Sequence, residues 1–309
     1  MKGCGNKIKN IYENKTTESG VGLFAYISGT VKNLTVTGNI IGASDQGGIA
    51  TENDGIIQNC HSEVILQSKV NDDVEVGGIV GRNKGKIEKC YNSGNIVFEN
   101  SSWLYGGGIV GVNEGEIKKC YNLALIDIKA QRAYSGGIVG YNTANVNECY
   151  NLGKIEGTGS YAARIGGISG SSQLNNATVE NCYNKGNVET KQGTVYAFAG
   201  GIIGNNVLTV NNCYNIGKVS GVGSGYARIG GVFGNASGTI NNCYYLNSSV
   251  ESGLAYGNVN GTVNESKMLT ESEMELESFV DMLDNNLDTK KWKKDEKNIN
   301  NGYPILNWQ

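Results

Sequence analysis

Cysteine and histidine are the residues here best suited to nucleophilic, redox or metal chemistry, and their distribution argues against all three. Seven of the eight cysteines, Cys60, Cys90, Cys120, Cys149, Cys182, Cys213 and Cys243, recur at steps of 30, 30, 29, 33, 31 and 30 residues. An even cysteine count is compatible with disulfides in an exported protein. Side chains at one position of a repeat, however, project in parallel, a poor geometry for S–S bonding. We therefore expect a column of reduced, buried thiols, with disulfide pairs or a metal as the alternatives. No Cys-x-x-Cys occurs. The only histidine, His61, stands where other repeats carry Tyr, and no nucleophile with an acid partner is identifiable around it. It reads as a surface substitution, with a general base as the weaker reading.

Carbohydrate cleavage would need paired carboxylates on one face, or a Ca²⁺ carboxylate cluster with a basic residue. Asp72-Asp73 is the only tight acidic pair within the repeats. The corresponding stretches of neighbouring repeats read SSWLY, QRAY, SYAAR, VYAFA and GYAR, without carboxylates. The pair is therefore expected to be a solvated turn. Those stretches, within 101–106, 131–135, 158–165, 190–199 and 221–229, vary in length and carry Trp103, Tyr105, Tyr134, Tyr161, Tyr196 and Tyr226. Arg132, Arg164 and Arg228 accompany them. Insertions in a repeat array collect on one side, often the binding side. Aromatic rings with arginine suit sugar rings or a protein partner, so these nine residues form the candidate ligand face. The plainer reading, which takes precedence on sequence alone, is that the tyrosines cover a sheet with arginines at its edge.

The elements that must position these residues follow from the period. Glycine pairs begin at Gly47, Gly77, Gly107, Gly136, Gly166, Gly200 and Gly230, and they drift together with the cysteines. A degenerate earlier copy, GLFAYISGTVKNLTVTGNI, places Leu34 at the cysteine position. Within a unit the pattern has period two, as in VENCYNKGNV, and no helical signal intervenes. A unit this small cannot bury its own apolar face, so successive coils must stack. The fold predicted is all-β: a right-handed parallel β-helix of about eight coils at the roughly 4.8 Å strand spacing. Stacking turns repeated residues into ladders. The glycine pairs should allow a tight corner that a side chain or a negative φ would obstruct. Asn92, Asn122, Asn151, Asn184 and Asn215 should form an amide ladder, with Tyr91, Tyr121, Tyr150, Tyr183 and Tyr214 stacked outside.

Composition narrows the function classes. A net charge of -3 over 309 residues gives no reason to expect nucleic acid or an anionic membrane as a partner. Glycine is abundant (46) and proline almost absent (1), which excludes collagen and suits a backbone donating every ladder hydrogen bond. No stretch approaches the roughly 20 apolar residues of a membrane span. The N-terminus lacks the apolar core of a signal peptide, and a truncated or processed start is expected. Residues 1–265 read as solenoid and 266–309 as a capping segment. Thr270 and Glu273 make a capping box, and Leu276, Phe279, Val280 and Leu283 predict a helix over about 271–285. With Tyr303, Ile305, Leu306 and Trp308 it should plug the open end of the solenoid. The run KKWKKDEK (290–297) reads as a solvated loop.

Through GLFAYISGTVKNLTVTGNI and the GGIxG…CYNxG units, roughly 20–265, the sequence resembles the GLUG-motif repeats of bacterial surface proteins. Such repeats occur in adhesins and in the non-catalytic N-terminal regions of immunoglobulin-A-specific metallopeptidases. GCGNKIKNIYEN looks like the tail of a first coil, which implies a chain cut from something longer. INNGYPILNWQ resembles the closing segment of many such proteins. The resemblance carries no peptidase activity here, because the chain has no His-Glu-x-x-His. It implies a non-enzymatic, extracellular or cell-surface protein, adhesin-like or a presenting stalk, binding a host glycan or protein without a cofactor or metal. The alternative is a carbohydrate-active enzyme, a polysaccharide lyase or glycoside hydrolase, on the same fold.

Overall fold

A computed structural model describes residues 5–15, 20–42, 44–70, 72–100, 102–173, 177–206, 208–251, 254–285 and 287–309. Cys4 and Ser101 lie outside the described residues. From Asn6 to Leu269 short strands pair in parallel with their counterparts one coil away, giving a parallel β-solenoid. One side is a nine-stranded sheet that includes Ala50–Asn53, Val80–Asn83, Val110–Asn113 and Val139–Asn142. A 25-stranded sheet bends round the other sides. The register is that of the repeat: Val80 pairs with Val110, Ile87 with Ile117, and Tyr91 with Tyr121.

Alternation within each short strand decides what enters the core. Ile79, Val80, Ile87, Cys90 and Ile96 of one coil are fully buried, as are Ile109, Val110, Ile117, Cys120 and Ile126 of the next. The seven repeat cysteines are free and buried. The backbone N–H of Cys90 donates to Cys120 Sγ at 3.4 Å, and Cys60, Cys120 and Cys182 bond likewise to the cysteine of the following coil. Each thiol in turn faces a carbonyl two residues earlier, Glu88 O at 3.3 Å for Cys90. Burial pushes the Cys90 and Cys120 thiols well above their ordinary range. A protonated thiol is a poor nucleophile and metal ligand.

The asparagine ladder is present and closes its own hydrogen bonding. Asn122 Nδ2 donates to Ala124 O and to Asn151 Oδ1, both at 2.9 Å. Its Oδ1 accepts from Ala124 N at 3.2 Å and from Asn92 Nδ2 at 3.1 Å. Every amide group is satisfied, which allows complete burial. A second column, Asn53, Asn83, Asn113 and Asn142, lines another corner with side-chain bonds of 2.8, 2.8 and 2.9 Å.

The glycine pairs exclude a side chain, as expected, but not because of an unusual backbone conformation. None has a positive φ. A Cβ on Gly78 would collide with Gly108 O and the Asn92 amide, so the requirement is room for the neighbouring coil. The left-handed corner lies elsewhere, at the residue before each cysteine: Asn59, Lys89, Lys119, Glu148, Asn181, Asn212 and Asn242 have φ between 50° and 56°.

The C-terminal segment also departs from expectation. Two short helices, α1 (Glu271–Met274) and α2 (Glu277–Leu283), replace the single one, and the capping box of Thr270 and Glu273 is formed. Leu276, expected in the buried stripe, is the 53 % exposed N-cap of α2. Among the described residues, the segment's buried apolar side chains cluster with the tyrosine column and not with the core of the solenoid. Met274, Phe279, Val280, Leu283, Trp292 and Leu306 pack on its flank against Tyr150, Tyr183, Tyr214 and Tyr244. Within the basic run, Trp292 is buried and Trp292–Lys293 pairs antiparallel with Ile305–Leu306.

Two measurements check this account. Thiol titration of native protein should leave the seven repeat cysteines unreactive, and denaturant should release them; equal titres in both would contradict the column. Lys89→Asn should raise stability by up to about 1 kcal/mol in urea unfolding, since Asn tolerates the left-handed region better, whereas Lys89→Ala should not.

Candidate functional site

The predicted aromatic and arginine residues fall on the strands that precede the glycine pairs, where parallel register sorts them into two outward columns. One runs Trp103, Arg132, Ala162, Tyr196, Tyr226 and the other Tyr105, Tyr134, Arg164, Phe198, Arg228. Tyr161, just before Ala162, reaches the first column through Arg132. The guanidinium of Arg132 lies 4.4 Å from the Trp103 ring and 4.7 Å from that of Tyr161. Arg164 stacks on Tyr134 at 4.7 Å and Arg228 on Phe198 at 5.4 Å. These separations are within cation–π range.

Side chains seven residues further on, across the glycine corner, meet the second column. Arg164 Nη1 donates to Ser171 Oγ at 3.3 Å, Arg228 donates to Asn235 Oδ1, and Tyr141 lies 5.5 Å from Tyr105 and 6.5 Å from Tyr134 between ring centroids. Outward side chains from two adjoining strands thus meet across the corner, forming a seam along the rod. Tyr134 is buried, Trp103 and Tyr105 are half-buried, and Tyr161 and Tyr226 are exposed at 44 % and 62 %. The plainer reading therefore describes the floor of the seam, and the exposed rings its rim.

Sequence reasoning missed the acidic end of the seam. Glu75 occupies the rung beneath Tyr105, and its N–H donates to Asp45 Oδ1 at 2.8 Å. Arg82 bridges Glu75 and Glu114. Burial raises the Glu75 carboxyl to about 7 despite the opposing hydrogen bond from Arg82. Burial likewise raises Asp45. The 30-residue step from Asp45 to Glu75 and the seven-residue step from Glu75 to Arg82 were the available signals. Asp72 and Asp73 are exposed, and Asp73 Oδ1 accepts from Ser102 Oγ at 2.6 Å and Trp103 N at 3.1 Å, which makes the pair a turn that caps the next coil.

His61 keeps its place in the outward column, stacked on Tyr91 at 3.7 Å, but it is only 8 % exposed and is no surface substitution. Its Nε2 lies 2.8 Å from Ser93 Oγ and its Nδ1 3.4 Å from Glu63. Burial lowers its pKa to about 4, with Glu63 opposing weakly. The remaining rings stack at 4.7, 4.7, 4.9 and 5.1 Å from Tyr91 to Tyr214. The C-terminal strap covers the later ones: Trp308 Nε1 donates to Glu148 O at 3.1 Å, and Tyr214 donates to Pro304 O while accepting from Asn300 Nδ2 at 2.8 Å. Another depression, of about 580 Å³, includes Val97, Phe98, Thr158 and Lys191, the last bridging Asp127 at 3.2 Å and Glu156 at 2.9 Å. Among the described residues no group of three or more His, Cys, Asp or Glu could hold a metal ion, and no helix is long and apolar enough to cross a membrane.

Coils, ladders and an aromatic–arginine seam define a β-solenoid repeat protein. Residues 74–97, which span Glu75, Arg82 and Cys90, match the GLUG motif. A solved Bacteroides ovatus structure, described as that of a candidate immunoglobulin A1 protease, is similar: 17% identity, a TM-score of 0.44, 94% of this chain and 88% of that chain covered. No curated protein matches the chain.

The single histidine makes one prediction unambiguous. Its ring-proton NMR shift should titrate near pH 4 and not near 6.5. Because the fold holds His61 neutral, its contribution to stability is complete above about 6.5 and is lost as pH falls toward about 4. His61→Tyr should flatten that part of the stability profile.

Proposed function

We propose that this chain is a non-enzymatic, adhesin-like protein of the bacterial surface, a rigid rod that presents the seam to a host glycan or protein. The observation that carries the reading is the seam itself, where aromatic and cationic rungs are interleaved along two adjoining outward columns. A pure spacer would have no use for Trp103, Arg132, Tyr161 and Tyr226 standing on one outward face. The resemblance to GLUG repeats supports the surface location. The repeat thiols are buried in the core, which shields them from an oxidising exterior.

The carbohydrate-active enzyme is the second reading, and the raised Glu75 carboxyl near Asp45 is what favours it. Arg82 already engages Glu75 and Glu114, which suits a structural bridge better than an acid–base pair.

The test replaces Tyr161 and Tyr226 by Ser and Arg164 and Arg228 by Gln. The quadruple variant should lose binding on a glycan array and to host cells while its melting temperature stays close to that of the parent. A large loss of stability with binding retained would identify these residues as sheet cover only. Release of reducing or unsaturated ends from a panel of polysaccharides, abolished by Glu75→Gln, would establish the enzyme instead.

A further inference from the structure

We propose that the seam binds an extended acidic polysaccharide whose carboxylate or sulfate groups are held by Arg132, Arg164 and Arg228; this rests on the reading of the seam as a ligand face. All four arginines of the sequence line this one seam. Arg82, at the acidic end, is neutralised by Glu75 and Glu114. The other three have no carboxylate partner among the described residues. An aromatic ring lies against each guanidinium and fixes its plane, leaving edge N–H groups for the oxygens of a carboxylate or sulfate. Arg164 Nε is also buried without a hydrogen-bond partner. Oriented, partly desolvated cations with no counter-charge are complementary to an anionic ligand.

The size of that ligand follows from the coil spacing. Arg132 and Arg164 sit on successive coils and Arg228 two coils beyond, so the three span roughly 14 Å along the rod. A single small anion cannot bridge them, whereas a polymer charged along its length can. Polypeptide is the weaker fit. The strands beneath the seam spend their N–H and C=O groups on the coils above and below, so no sheet edge is open for strand addition. Recognition falls to ring faces and guanidinium edges, and a pyranose offers flat C–H faces to stack on Tyr161 and Tyr226. Three cations beside an acidic end are also too few for a nucleic acid, whose affinity rests on many phosphate contacts.

Calorimetric titration of the intact chain tests this with polygalacturonate, dextran sulfate, unmodified dextran, polyglutamate and polyuridylate. At least one of the two acidic polysaccharides should bind, and the stronger identifies the anion. Dextran should be at least about tenfold weaker, and added salt should weaken the acidic ligands. Replacing the three arginines with Gln should cost at least about tenfold, and replacement with Lys should restore only part. The Lys variant keeps the charges and guards against misfolding, with thermal melts as control. Dextran binding as tightly, or the Gln variant binding unchanged, would overturn the acidic preference. The ligand face would survive that result if Tyr161→Ser with Tyr226→Ser weakened dextran binding. Tighter binding of polyglutamate or polyuridylate would overturn the polysaccharide. No binding by any of the five would overturn it outright.

Discussion

Parallel stacking sets each residue about 4.8 Å from its own kind, and every recurring residue type in this chain is one that tolerates an identical neighbour at that distance. A primary amide carries donors and acceptors in balance, so Asn92 to Asn215 bond indefinitely along one line. Aromatic rings can stack offset at that spacing, and the tyrosines lie almost parallel, within 3–5° of one another from Tyr91 to Tyr214. Thiols and branched aliphatics fill the interior, and glycine alone fits where two coils touch at the backbone. Charge is what such a lattice repeats only at a cost, because like charges directly opposite repel. Where like charges do stack, as Asp127, Glu156 and Glu189 do, lysines neutralise them: Lys191 reaches Asp127 at 3.2 Å and Glu156 at 2.9 Å, and Lys154 reaches Glu189 at 3.2 Å.

The seam obeys the same constraint in another way. Its second column reads Glu75, Tyr105, Tyr134, Arg164, Phe198, Arg228, so that Phe198 keeps Arg164 and Arg228 apart. Arg132 is placed between rings in the same manner. Variation in one outward column costs the fold little, because inward positions on the same strands, Leu104, Ala133 and Ala163, continue the core unchanged in kind. A repeat architecture can therefore carry a non-repeating face.

Much of the fold was legible because the markers are inseparable from the geometry: a 30-residue period with period-two alternation admits only stacked coils. The cysteine, asparagine and tyrosine columns followed directly. The glycine pairs were legible in place and in their exclusion of a side chain, but sequence does not distinguish a crowded contact from an unusual φ, and both were expected. The left-handed corner was hidden because Lys89, Lys119 and Glu148 occupy it as well as asparagine, and three residue types at one position do not look like a motif. The candidate face was visible in composition, whereas its partners Tyr141, Ser171 and Asn235 lie on the next strand and meet it only through the corner. The direction of the C-terminal strap was illegible for a similar reason. The stripe of Phe279, Val280 and Leu283 announces that something must be buried, not where, and the tyrosine column had been read as an outside surface.

The strap gives the rod a fixed origin. Pro304 and Asn300 recognise Tyr214, Gln309 recognises Tyr183, and Trp308 reaches Tyr150, so the tail registers specific rungs in the manner of a vernier. Duplicating a coil on the N-terminal side of Tyr91 leaves that alignment intact, whereas gaining or losing one between Tyr150 and Tyr244 shifts every contact. Recombination among these near-identical units is thus free to lengthen the molecule only from one side, and reach can change over generations without disturbing the anchored half.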